Sequence, residues 1–138
     1  MSPIAERRLL QLAIAVASLV PLTMGGISLW QSATVLRGVA APLPADLDSH
    51  FRYLSGLLFG VGFVFLALLP RIERHGSVVR ALAAIIVVGG VGRLVSILDV
   101  GAPSSGHVFG LIMELIVVPL IALWQARVAR RWQGASPG

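Results

Sequence analysis

The chain has 138 residues, of which 57% are hydrophobic and 12% charged, with a formal charge of +5 and a mean hydropathy of +0.89. Soluble domains carry roughly a quarter charged residues, so this composition calls for a solvent other than water. With no cysteine in the sequence, a disulfide framework, a thiolate metal site and a cysteine nucleophile are all excluded.

All eleven basic residues are arginines, set singly or in pairs around apolar runs. That is the pattern of membrane topology rather than of a nucleic-acid-binding stripe. A membrane-crossing helix needs about 20 mostly apolar residues, and four stretches meet that requirement. Leu9 to Trp30 has no ionisable residue. It follows Arg7 and Arg8 but is too long for a signal peptide and lacks a small-residue cleavage site, so it reads as a span. After a link over residues 31–50 that holds Pro42, Pro44, Asp46 and Asp48, the second span runs from Phe51 to Leu69 with Arg52 at its mouth. Asp46 or Asp48 is expected to cap a helix that begins before the membrane. The third span, Ala81 to Leu98, contains Arg93, and the fourth, Val108 to Trp124, contains Glu114. Residues 135–138 read as a frayed tail.

Only helices satisfy every backbone donor and acceptor inside an open-chain membrane segment, and strand-like alternation is absent. The expected fold is therefore an all-α integral membrane four-helix bundle, antiparallel up-down-up-down, forming one transmembrane domain over residues 1–138. Arg7, Arg8, Arg71, Arg74, Arg80, Arg127, Arg130 and Arg131 fall on one side of the four spans, and the other side has only Arg37 and Arg52. The positive-inside rule puts both termini and the middle link in the cytoplasm. Trp30 at one end, and Trp124 and Trp132 at the other, fit the two aromatic belts.

Small and polar residues form a stripe on each span at helical spacing: Ser18, Pro21, Gly25 and Ser28; Arg52 or Tyr53, Gly56 and Gly60; Gly89, Gly92 or Arg93, Ser96 and Asp99; His107, Gly110 and Glu114. The stripes lie mainly toward the arginine-poor side. At a rise of about 1.5 Å per residue, Arg93 and Glu114 both sit about 8 to 10 Å inside the membrane. Opposite charges at matched depth on sequential antiparallel helices are expected to pair or to share a ligand, because a lone charge there costs roughly 2.5 to 3.5 kcal/mol. The halves of the spans nearer the cytoplasm are almost wholly apolar. Together these features predict a polar pocket, open outward and sealed inward, with Arg52, Tyr53, Arg93 and Glu114 as ligand-binding residues and Ser96 and Asp99 beside them.

Each of these residues also has a plain reading. Arg93 and Glu114 could only fix helix register; Arg52 could snorkel or pair with Asp48 four residues earlier; Tyr53 could be a belt aromatic. His50 and His107 lie at the rim without metal-ligand spacing. Gly56, Gly60 and the glycines at 89, 90 and 92 permit close helix approach, and Pro21 and Pro119 are expected to bend their helices. No phosphate loop, nucleophile elbow or metal motif is present, so no cofactor is implied and an enzyme is the weaker reading.

The run His50-Phe51-Arg52-Tyr53-Leu54-Ser55-Gly56, the run Gly89-Gly90-Val91-Gly92-Arg93-Leu94-Val95-Ser96, and Glu114 with Pro119 resemble the bacterial "domain of unknown function 4345" membrane proteins. The resemblance extends from the first span to about Arg130, with a looser similarity to DoxX-like bundles. It implies a compact four-helix protein of the bacterial inner membrane and no particular substrate. The expected function is binding of a small molecule or lipid in the outward pocket. The alternatives are a structural or partner-binding membrane subunit, with a second copy in a homo-oligomer or another membrane protein as its partner, and a small multidrug-type transporter that uses Glu114. The expected partners are membrane lipid and a small-molecule ligand, with no nucleic acid.

Overall fold

In the computed structural model, residues 1–135 are described, and among them there is no strand. Helix α1 spans Pro3–Gln31, α2 Ala45–Leu68, α3 Gly76–Val100, α4 Ser105–Ile112 and α5 Val118–Ala135. A π-helical turn, Met113–Val117, joins α4 to α5, so the last three segments make one continuous apolar rod, Ser105–Gly134. Four helices are thus long and apolar enough to cross a membrane. Few of their residues are buried within the protein; in the most apolar window of the last helix none is. Such surface is stable only against lipid. The chain is an all-α, multi-pass membrane protein.

The helices outrun the expected spans. The 29 residues of α1 extend about 43 Å at the helical rise, against roughly 30 Å of hydrocarbon. Its first two turns, with Glu6 and Arg7, therefore extend the helix beyond the expected span. Ala135 closes α5, and the rest of the expected frayed tail lies outside the described residues. At the start of α2 the expected capping is corrected. Pro44 holds the N-cap position, with ψ 137° and no side-chain cap, which places Asp46 and Asp48 in the first turn. There their charge still opposes the helix dipole, but the Asp48 carboxylate turns to Arg52 four residues on.

Contacts divide the chain into two compact units, Leu12–Pro70 and Met1–Gln11 with the chain from Arg71 onward. In the first, α1 and α2 run antiparallel at close range. A methyl on Gly25 would lie 2.8 Å from the Phe59 backbone nitrogen, and one on Gly62 would lie 3.0 Å from Leu22 and 3.1 Å from Pro21. The glycines that bring these helices together are thus Gly25 and Gly62. Gly60 faces open space, and Gly56 meets Leu29 of α1 only at an ordinary 3.7 Å. Helix α1 ends where Ser32 takes a left-handed φ of 57°. Its buried hydroxyl donates to the Asp48 carbonyl at 3.4 Å.

In the second unit, α3 runs antiparallel to the α4–α5 rod. Ile72, Val79, Ala83 and Val128 are buried with Leu10 of the first turns of α1. Gln125 is fully buried too and donates from Nε2 to the Ile72 carbonyl at 2.8 Å. It thereby satisfies a backbone group in the 3-10 turn, Leu69–Arg74, where Arg71 leaves helical geometry.

Candidate functional site

Near the turn between α3 and α4, three ionisable side chains of the second unit converge. Arg93 donates from Nε to Glu114 Oε2 at 3.0 Å and from Nη2 to Glu114 Oε1 at 2.9 Å, a fork-to-fork pair with two parallel charge-assisted bonds. Its Nη1 lies 2.8 Å from His107 Nδ1. A guanidinium can only donate, so His107 accepts at Nδ1 and carries its proton on Nε2. Both members of the ion pair are partly shielded, with 31% and 19% of the side chains of Arg93 and Glu114 exposed.

The sequence builds this arrangement through spacing. His107, Gly110 and Glu114 are three and four residues apart on one face of the rod. The guanidinium lies over Gly110, with Arg93 Cζ an ordinary 3.7 Å from where a Cβ would be. On α3, Gly90 is one turn before Arg93 and gives the π turn room: a methyl there would sit 2.7 Å from Leu115 Cδ2 and 3.0 Å from Glu114 Cβ. The π turn is closed by a five-residue bond from the Val118 N–H to the Met113 carbonyl. Pro119, next in line, has no N–H to give and would crowd the Leu115 carbonyl in a regular α-helix. The wide turn removes that conflict and sets the direction of Glu114.

The other residues expected at the site are placed as follows. Ser96 and Asp99 are exposed and form no hydrogen bond to the cluster among the described residues. Arg52 and Tyr53 belong to the first unit. Arg52 donates from Nε to Asp48 Oδ2 at 3.0 Å and from Nη1 to the carbonyls of Leu29 and Trp30 at 2.7 and 2.8 Å. It therefore caps the C-terminal end of α1, whose last carbonyls have no partners within the helix. Beside it lies a cavity of about 340 Å³ lined by Gln31, Thr34, Ala41, Leu43, Asp48 and Arg52. Tyr53 is 63% exposed, as suits an aromatic at a lipid interface. No group of three or more metal-ligating side chains occurs among the described residues.

A second charged cluster, which the sequence reading treated only as topology, lies at the arginine-rich end of the second unit. Glu6, 3% exposed, takes Arg127 at 3.2 Å and also Arg131. Arg7 donates to the buried Glu73 at 2.7 Å and stacks over Trp132 with its carbon 4.9 Å from the ring centre. The available signal was the placement of two carboxylates, Glu6 and Glu73, among eight arginines on that side.

A family model described as domain of unknown function (DUF4345) matches residues 9–125. No curated protein and no solved structure matches the chain.

Proposed function

The chain belongs to the DUF4345 family, and on that premise we propose that it binds a small anionic molecule or lipid head group at the Arg93–Glu114–His107 cluster. The observation that carries this reading is the fork of Arg93 on Glu114 with His107 at its third nitrogen, an arrangement that leaves one N–H on each of Nη1 and Nη2 for a ligand. An ion pair in an apolar span is expensive, and well-packed apolar side chains would hold the helices at least as well. Retaining it makes sense where the charges meet something else. Arg93 is pre-organised by its two partners, so a carboxylate, phosphate or sulfate finds a guanidinium already oriented. Glu114 and His107 set the geometry around it. In this reading the termini and the middle link face the cytoplasm of a bacterial cell, and the cluster opens outward.

A second reading, a clamp that fixes the register of α3 against α4, is favoured by the directness of the pair. Exchange of a proton for a cationic substrate at Glu114 gains no such support, since that carboxylate already holds a guanidinium.

The charge-swapped double variant Arg93→Glu with Glu114→Arg separates the two readings. Each single change sets two like charges together in the membrane and is expected to destabilise by at least about 2 to 3 kcal/mol, while the swap recovers most of that loss. Native mass spectrometry of gently extracted protein is expected to show, on the unmodified chain, a retained molecule that the swapped chain lacks. If both carry the same complement, or neither carries anything, the binding reading fails and the clamp stands.

A further inference from the structure

At the arginine-rich end of the second unit, a cavity of about 440 Å³ is lined by Glu73, Arg74, Ala129, Trp132 and Gln133. We propose that this cavity is a second site, separate from the Arg93 cluster, that holds the head group of an anionic phospholipid.

The charge balance there points to an anion. The carboxylates of this end are already taken: Glu73 by Arg7, and Glu6 by Arg127 and Arg131. Arg74, exposed on the cavity wall, forms no ion pair among the described residues. With Arg8, Arg71, Arg80 and Arg130 close in sequence to the same helix ends, it leaves a surplus of positive charge that the side chains of the described residues do not neutralise.

The position selects a lipid over a soluble anion. The cavity lies where apolar helices give way to arginines, the level at which phospholipid phosphates stand. Trp132 on its wall is the residue type that settles at that level, with an apolar ring and a polar N–H. Arg7 fixes that ring from one side. Arg74 would take the phosphodiester, Gln133 could donate to a glycerol or phosphate oxygen, and the exposed apolar surface of α5 below would carry the acyl chains.

The test is retention of phosphatidylglycerol by the full chain in mild detergent, read by native mass spectrometry and checked in nanodiscs by the emission of Trp132 in a Trp30→Phe, Trp124→Phe background. Arg74→Gln is expected to weaken retention about fivefold, the effect of losing one interfacial arginine, and to abolish the emission change. Arg74→Lys is expected to keep the emission change, and so is Arg130→Gln, which removes an exposed arginine outside the cavity lining. Phosphatidylcholine is expected to bind at least fivefold more weakly than phosphatidylglycerol. The proposal is overturned if Arg74→Gln and Arg130→Gln lose lipid equally, since that marks a diffuse surface charge. It is also overturned if phosphatidylcholine binds as well, or if millimolar inorganic phosphate alone displaces the lipid. The swap of Arg93 and Glu114 is expected to leave this binding unchanged, so either site can fail without the other.

Discussion

Gly90 is the residue on which the cluster's geometry depends most directly. Adding one methyl puts it 2.7 Å from Leu115 Cδ2 and 3.0 Å from both Leu115 Cγ and Glu114 Cβ, and the last two atoms lie too near the backbone to swing clear. Gly90→Ala is therefore expected to cost about 1 to 3 kcal/mol of stability and to weaken the Arg93–Glu114 pair, whereas Gly89→Ala and Gly92→Ala face open space and stay close to neutral. Thermal unfolding in detergent checks this ordering; equal losses at all three positions would mean that α3 packs on a different face. Sequence spacing could not rank these glycines. The stripe of Gly89, Gly92, Ser96 and Asp99 marked positions that prove exposed, and the rest of α3 is so evenly apolar that nothing else in its pattern singles out Gly90. The pairing of Arg52 with Asp48 was legible because four residues is one helical step. Its bonds to Leu29 and Trp30 were not, because they depend on where another helix ends.

Among the elements, the π turn from Met113 to Val117 is the irregular one that matters for the cluster. Proline 119 announced a disturbance in the last span, but a kink, a frayed carbonyl and a widened turn are all physical answers to a missing N–H. The choice among them is made by packing. Here the widened turn carries Glu114 toward Arg93 while Leu115 packs against Gly90. Pro119→Ala restores the donor and removes the reason for the extra residue in the turn. The segment is expected to relax toward regular α-helix, turning Glu114 by about 100° in the process. Stability should hold or rise while retention of any molecule bound at the cluster falls severalfold. Unfolding temperature and native mass spectrometry, measured on the same preparation, read the two effects separately. A loss of both together would mean that the π turn is held by its surroundings rather than by Pro119.

For the whole molecule, the helices run past the expected limits, α1 from Pro3 and α2 from Ala45, but the number of spans was legible because hydrocarbon imposes a length and a polarity that few sequences meet by chance. The network of Glu6, Glu73 and their arginines was not. Arginines flanking a span look alike whether they face water or close on a buried acid. Orientation rests on the same arginines, and it decides whether the Arg93 cluster opens to the outside of the cell or to the cytoplasm. The absence of native cysteine makes this directly measurable with single substitutions at exposed positions. Ser77→Cys, at the start of α3, is expected to stay unlabelled by a membrane-impermeant maleimide in intact cells. Thr34→Cys and Ser104→Cys, in the two links on the arginine-poor side, are expected to react. The eight arginines on one side favour this orientation by about 1 kcal/mol for each one that meets an anionic surface, a bias large enough to fix one topology. Labelling of all three positions would show instead that the chain inserts both ways, and the cluster would then face both compartments, as an antiparallel dimer requires.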